Sequence, residues 1–575
     1  MTRLTVPAAA LFALACIPCP AEVINFDAAT GVVTIPSVSV GTSTYVNVRL
    51  QADANFVFSV AAATPQQPAT PGVATFADGL LTLPAVQVGS QTYLDVTLRD
   101  AGNLSFTLQS ATPLPAATLD AVNALFTAAD AMFATAVPAT GALRMSLNDG
   151  CWRDDGRTKA NFIADWDANA AKYAQRDAYQ VGRTRSNVQV LAVRNRSNPD
   201  GSQRQEIDVQ YDLVFKDGTR AAGQTTTLIS GSSAGTPGCT TPQSATTLRG
   251  FGNQQLVRAE VRSRNVRDQR HALAGGAALS PAVNYRRSVQ WGIEDPMGNA
   301  SYVIVTGPGP AATVGGVATQ FSLKFISPRL LRSAPELLGK PGNFLNWLDE
   351  DGFRYCRAAT NPAVAAIADC TGLGATAFDY GHTTATPNAA NDATFDGQGW
   401  VAGSVFRFDV YSDDGWKTVN GHAGRTPIAT YYETLTTLPV RFVDMAGSGP
   451  SADRFPRLNF GALSTAQVAS NLVSATPAPM SVTWNAPPAL PGGRGLALFQ
   501  GWEFNQGPKV GNAGGATNPA YRNIFYNYPG PTATANPAWS VTAKPADQSA
   551  KTYGEFTIFY SDRGDNSILS IVSFQ

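Results

Sequence analysis

Apolar and polar residues alternate at period two through much of this chain, and the clearest alternation is written twice. Residues 31 to 65 return 48 positions later as residues 79 to 113. Gly31, Pro36, Gly41, Tyr45, Val48, Leu50, Phe58 and Pro65 recur as Gly79, Pro84, Gly89, Tyr93, Val96, Leu98, Phe106 and Pro113. Within each copy, runs such as Tyr45-Val46-Asn47-Val48-Arg49-Leu50 alternate, and Gly, Pro and Asn turns divide them. This pattern predicts a small set of antiparallel strands per copy. Two copies suit a tandem module better than a solenoid, where about three or more repeats stack.

Beyond Pro113 the period changes. Thr118 is placed to cap a helix whose apolar face is Val122, Leu125, Phe126, Ala129, Met132 and Phe133, with Pro138 ending it. A second helix fits Thr158 to Asp167, with Phe162, Ile163 and Trp166 on one side. Strand patterns follow at Val188-Val190-Ala192, at Ile207 to Phe215, at Thr225 to Ile229 after an Asp217-Gly218 turn, and at Leu256 to Arg264. Helices followed by an antiparallel sheet are the order of an α+β cone.

With its long first helix, the Leu147-Asn148-Asp149-Gly150-Cys151-Trp152 stretch before Asp155-Gly156-Arg157-Thr158-Lys159-Ala160, the paired long strands and Gly252-Asn253-Gln254, this segment resembles the nuclear-transport-factor-2-like superfamily. The resemblance implies a cone over residues 114–275. Family members use that cone for enzymes, for small ligands and for protein contacts, so the fold does not choose among these. Family enzymes place a His/Asp pair or an Asp/Tyr set in the pocket. The groups available here are Asp149, Asp154, Asp155, Tyr179 and Tyr211, and no histidine lies between 114 and 270. A buried carboxylate can still be tuned upward to act as a base. The plainer expectation is that Trp152, Phe162, Trp166 and Tyr211 fill the cone or line a ligand site, while the aspartates cap turns.

From Leu279 onward, strand follows strand between Gly/Pro/Asn turns, the pattern of β-sandwiches. Val482-Thr483-Trp484-Asn485-Ala486-Pro487-Pro488 and Gly501-Trp502 resemble the texture of immunoglobulin or fibronectin type III sandwiches. The expected fold is multidomain and mostly β. Residues 1–21 form a signal peptide, residues 22–113 two tandem β repeats (22–65 and 72–113), and residues 114–275 the cone. Residues 276–438 and 439–575 form two antiparallel β-sandwich modules divided near Thr437 to Pro439. Residues 340–400 are irregular, and Asn388 to Gly399 reads as a mobile surface loop.

The address comes from the start of the chain. Arg3, the apolar run Val6 to Ile17 and Cys19-Pro20-Ala21 make a secretory leader cut ahead of Glu22. The rival reading is a lipid anchor on Cys16 after Ala13-Leu14-Ala15. No other stretch approaches the roughly 20 apolar residues of a membrane span. Four cysteines remain, Cys151, Cys239, Cys356 and Cys370, and they permit three disulfide pairings. The domain reading pairs Cys151 with Cys239 and Cys356 with Cys370. Metal binding by these cysteines is disfavoured, because there is no Cys-x-x-Cys and no histidine near any of them. The 42 basic residues balance 42 acidic ones, so net charge gives no reason to expect nucleic acid.

Other motifs carry weaker chemistry. Gly231-Ser232-Ser233-Ala234-Gly235 matches a nucleophile elbow, yet Thr236-Pro237-Gly238 follows where a helix is required. His271, His382 and His422 are the histidines available as a base, each in a loop-like, exposed context. The acidic turns Asp349-Glu350-Asp351-Gly352 and Asp413-Asp414-Gly415 lack calcium-loop spacing. Arg258, Arg262 and Arg264 alternate on one strand as a stripe for an acidic glycan or protein, or as a solvated face. Trp400, Trp416 and Trp502 would offer aromatic contact surface if exposed. Together these readings favour an exported, non-catalytic binding protein with a protein or carbohydrate partner at the cell surface and no cofactor. The alternatives are an exported hydrolase or lyase with its site in the cone, and a structural component of envelope assembly.

Overall fold

The computed structural model describes residues 23–66, 71–170, 173–174, 177–216, 220–236, 239, 246–314, 317–333, 352–357, 377–417, 421–446, 454–474, 478–485, 487–488, 498–507, 522–526, 538–543, 553–561 and 566–575. Mostly β, as the patterning requires, it forms two compact units. One holds the described residues up to 174 together with 180–256, and the other holds 177–179 and 257–575. The leader, Cys16, Cys370, Asp217-Gly218 and Asp349 to Asp351 lie outside the described residues.

In the first unit the duplicated segment makes β1 (Ile24–Asp27), β2 (Val32–Val40), β3 (Ser43–Ala52), β4 (Val57–Gln66), β5 (Ala74–Ala77), β6 (Leu80–Val88), β7 (Gln91–Gly102) and β8 (Ser105–Pro113). These do not form two small modules. Their order is β1-β2-β3-β4-β8-β7-β6-β5, and β1 also pairs in parallel with β6, as β5 does with β2. Each copy therefore lends its first strand to the other. The seam between β4 and β8 sets Phe58 opposite its own duplicate, Phe106, with Val57 against Thr107 and Ser59 against Ser105. That register maps onto itself under the 48-residue offset, so the repeat has become a pseudo-two-fold within one domain.

The core obeys the same symmetry. Val33, Ile35, Val38, Val48, Leu50 and Phe58 are buried with their counterparts Leu81, Leu83, Val86, Val96, Leu98 and Phe106 in one cluster. Phe26 meets Phe58 edge-on at 6.1 Å, and Phe76 meets Phe106 in the same way at 5.7 Å. At about 1.5–3 kcal/mol for each fully buried aliphatic or aromatic side chain, neither copy retains enough core alone.

After the duplicated domain, α1 (Ala116–Ala131) starts directly behind Pro115, so Thr118 lies inside the first turn and does not cap it. Short α2 (Gly141–Arg144) and α3 (Lys159–Ala168) follow, each capped by a threonine, Thr140 and Thr158. Between them the two-residue strands β9 (Arg153–Asp154) and β10 (Arg157–Thr158) pair. The sheet is antiparallel: β11 (Thr184–Ser197), β12 (Gln203–Val214), β13 (Arg220–Ser230) and β14 (Arg249–Gly250). Two register shifts in the β11/β12 ladder bend it. Cys151 and Cys239 form a disulfide 88 residues apart in sequence, beside buried Ile229 and Phe251.

The strand expected to complete the cone belongs elsewhere. It is β15 (Arg258–His271), and it opens the second unit as the hairpin partner of β16 (Ala278–Glu294). That unit continues with β17 (Tyr302–Val314), β18 (Val317–Ile326), β19 (Arg354–Arg357), β20 (Ala377–Thr384), β21 (Ser404–Tyr411) and β22 (Ala429–Leu435). It ends with β23 (Arg457–Asn459), β24 (Ala478–Asn485), β25 (Leu498–Gly507), β26 (Arg522–Tyr526), β27 (Ala538–Ala543), β28 (Tyr553–Ser561) and β29 (Asn566–Phe574).

One seven-stranded sheet, β20-β16-β15-β29-β28-β25-β26, spans the boundary expected near residue 438. Its β16/β20 side packs through Trp291 against Phe321 and Phe406 of the five-stranded sheet β19-β18-β17-β21-β22. Its β25/β28/β29 side packs Phe504, Phe556, Ile558 and Tyr560 against Met480, Val482 and Trp484 of β23-β24-β27. The two sandwich layers thus share a sheet.

Residues 437–440, expected as a divider, are bolted to that sheet. Asn265 on β15 donates to Val440 O at 2.8 Å and accepts from Val440 N at 2.8 Å and from Asn566 Nδ2 on β29 at 3.0 Å, all buried. Arg287 on β16, 1% exposed, donates to Pro439 O at 3.1 Å and pairs with Asp392 at 2.7 Å. Asp392 in turn accepts from Phe442 N and Val443 N. The segment expected to be a mobile loop is therefore the helix Ala389–Asp396, capped by Asn388 and pinned through a buried carboxylate.

Three outcomes test this fold. A fragment of residues 23–114 melts cooperatively by far-UV circular dichroism, whereas residues 23–66 alone show no cooperative transition. Replacing Asn265 by Ala strands buried groups on Val440 and Asn566, at about 1–3 kcal/mol for each group left unpaired, read by urea unfolding of the full chain. Cys151→Ser lowers stability by about 2–5 kcal/mol, and reductant lowers the melting temperature of the wild type much more than that of the variant.

Candidate functional site

The α+β segment that follows the duplicated domain gathers cations among rings. Arg144 ends α2, and Arg183 and Arg185 stand at the start of β11, two positions apart. Arg144 and Arg183 both lie over the ring of Phe133, at 5.0 and 4.1 Å, and Arg144 also reaches Trp166 at 5.9 Å. Arg185 lies over Phe126 at 4.8 Å and Tyr211 at 5.1 Å. Phe126 on α1 packs on Tyr211 of β12 at 4.8 Å, so helix and sheet close around the guanidiniums.

Asp130 of α1 pairs with Arg185 through both its backbone N–H and its guanidinium. Burial pushes the Asp130 carboxyl upward, against the pull of Arg185 and Arg183. Arg183 is 4% exposed, donates to Gln180, and leaves its buried Nε without a partner. Burial first, then repulsion from Arg185 and Arg144, lowers its pKa to about 9, while Tyr211 and Asp130 act in the opposite sense. All three cations lie on ring faces, and a guanidinium gains most from a bidentate anion. Chemically the arrangement can bind and orient a carboxylate or phosphate.

The residues singled out from the sequence separate in space. Trp152, Phe162, Trp166 and Tyr173 form a continuous run of ring contacts at 5.7, 5.7 and 5.0 Å, with Trp166 and Tyr173 fully buried. Of the acid/base candidates whose side chains are described, Tyr211 stands at the arginine cluster. Asp149 is buried beside the disulfide, accepting from Cys151 N at 2.8 Å and from Ser232 Oγ at 2.9 Å. Asp154 and Asp155 hold the backbone and side chain of Asn253 at 3.0 and 2.7 Å, as turn residues do. The side chain of Tyr179 lies outside the described set. The sequence reading missed Asp130, Arg144, Arg183 and Arg185; Arg183-Thr184-Arg185 just before an alternating run was the available signal.

Other motifs resolve into structural roles. Gly231 takes φ +77°, and a Cβ there would stand 2.5 Å from Gln203 O, so the first glycine of the Gly-x-Ser-x-Gly pattern serves close strand approach. Ser233 accepts from Thr236 N through its carbonyl in a turn, and its hydroxyl donates to Ala234 O at 3.4 Å. Arg425 fills the Asp413/Asp414 turn, at 2.9 and 2.7 Å from the two carboxylates. Among the described residues no group of three or more His, Cys, Asp or Glu side chains could hold a metal ion. The arginine stripe is largely neutralised: Glu260 pairs with Arg258 at 2.6 Å and Arg262 at 3.2 Å, and Asp379 pairs with Arg264.

Trp400, Trp416 and Trp502 are buried, because each is needed to fill space beneath or between the sheets, and they offer no contact surface. His271 is also buried, between Gln269, Gly276 O and the ring of Phe574, and is not a loop histidine. His382 bonds Asn391 at 2.7 Å, and His422 lies 6.2 Å from the ring of Tyr411.

No protein-family model matches this chain, and no curated protein matches it. Among solved structures it is similar to a 1.5-MDa bacterial ice-binding adhesin described for host cell surface retention, with 11% identity, 64% of this chain and 73% of that chain covered, and a TM-score of 0.13. It is also similar to a tetra-tandem repeat from the extending region of a large adhesion protein, with 5% identity, 67% and 65% covered, and a TM-score of 0.13. A Ca2+-stabilized adhesin with which an Antarctic bacterium binds ice shows 12% identity over 97% of both chains, at a TM-score of 0.14. Likeness at these scores carries no argument about fold or function for this protein.

Proposed function

We propose that this protein is an exported, non-catalytic binding protein whose cone, of nuclear-transport-factor-2-like type, takes an anionic small ligand or the acidic terminus of a larger one. The observation that carries the reading is the cluster of Arg144, Arg183 and Arg185 around Phe126, Phe133 and Tyr211, where three guanidiniums lie on ring faces and Arg183 feels the repulsion of the other two. A bound carboxylate would relieve the repulsion among them and use the unpartnered Nε of Arg183. Arg144 is half-buried, next to exposed Leu143, so the cluster has one member near the surface. The Cys151–Cys239 disulfide supports an oxidising compartment. The sugar-acid class suits the site, because rings stack on sugar faces while guanidiniums take the carboxylate.

Titration of the full chain with sodium glucuronate raises its melting temperature saturably, whereas glucose or equal sodium chloride does not. Arg183→Gln weakens that binding by about tenfold or more, the scale of one charge-assisted hydrogen bond at 1.5–3 kcal/mol. A wild type indifferent to glucuronate, citrate and phosphate alike would discard the reading.

A further inference from the structure

The duplicated domain leaves two matched strand segments uncovered. Past the seam at Val57 to Ser59, and a last bond from Val60 N to Leu104 O at 3.0 Å, β4 and β8 diverge. From Ala61 to Pro65, and from Thr107 to Pro113, every residue is exposed. Among the described residues, each of these segments has a neighbour on one edge, β3 or β7, and none on the other. Strands in this state present a row of backbone donors and acceptors to any other strand.

Apart from Pro65 and Pro113 at their ends, which lack an N–H, nothing in their composition blocks such pairing. No charged residue occurs in residues 54–77 or 101–119. Proteins ordinarily protect an open edge with lysines, inward charges or a cover. Here the turns leading into the two strands carry apolar tips instead: Phe56 is 59% exposed and its duplicate Leu104 69%, both at positive φ, and Leu108 on β8 is 51% exposed.

The identity of the occupant follows from the seam itself. Phe58-Ser59-Val60-Ala61-Ala62-Ala63-Thr64-Pro65 and Phe106-Thr107-Leu108-Gln109-Ser110-Ala111-Thr112-Pro113 are copies of one strand, and their first residues already pair with each other antiparallel. The strand is thus complementary to itself. We propose that this protein self-associates through these edges, β4 of one molecule adding antiparallel to β8 of a second copy, by strand addition.

Sedimentation velocity and light scattering on the full chain with its Cys151–Cys239 disulfide intact test this. The expected result is a mass above that of one chain, 60.4 kDa, which rises with protein concentration and persists at high salt, since the edges carry no charge. Ala61→Lys with Gln109→Lys, at exposed matched positions, returns the mass to that of one chain while the circular dichroism spectrum and melting temperature stay unchanged. A wild type that remains monomeric at every concentration overturns the proposal and leaves the edges to a strand from another protein. Association that the double variant retains in full, or that high salt abolishes, also overturns it.

Discussion

Every strand must find partners for its backbone N–H and C=O groups, and in this molecule the decisive partners lie far away in sequence. β1 meets β6 across the duplication, and β15 meets β29 across about half of the chain. Both contacts are parallel, so neither can be made by a hairpin, and each closes a sheet that local turns leave open. The N-terminal domain exists because two copies exchange first strands. The second unit exists because its first strand and its last are neighbours, with Asn265 and Asn566 holding that junction to Val440.

Charge is handled in two opposite ways. On the seven-stranded sheet, Arg258, Arg262 and Arg264 are answered by Glu260, Glu294 and Asp379, and buried Arg287 is answered by Asp392. These pairs fix how β15, β16 and β20 and the helix Ala389–Asp396 sit together, and breaking one would leave a buried charge exposed to a large desolvation cost. In the α+β segment of the first unit, Arg144, Arg183 and Arg185 rest on rings, and Asp130 pairs with Arg185 and pulls on Arg183. Guanidiniums gathered on ring faces offer a fork of donors to an anion, which is why this segment rather than the paired arginine stripe is read as the candidate site.

Much of the local structure was legible. The period-two runs became strands, the second helix formed within a residue of its expected bounds, and the β-rich multidomain class follows from spacing alone. Illegible parts share one cause. Asn388 to Gly399 looks like a loop because its composition is polar and small, yet Asp392 is buried by Arg287, about a hundred residues away. Trp400 and Trp502 read equally well as surface or core until the sheets that cover them are known. The arginine cluster escaped notice because α2 and β11 bring together residues about forty positions apart, and no local period records that.

By itself, then, the sequence determined the strand class, the internal duplication and the helical segment that follows it, because these rest on short-range periodicity and on self-similarity. Only the tertiary structure decided that two repeats make one domain, that β15 belongs to the second unit, that one sheet serves two layers and that Arg144, Arg183 and Arg185 converge. Each of those outcomes depends on which strand edge or cation finds which distant partner. Hydrogen-bond and charge complementarity are satisfied in space, where sequence separation has no bearing on which groups meet.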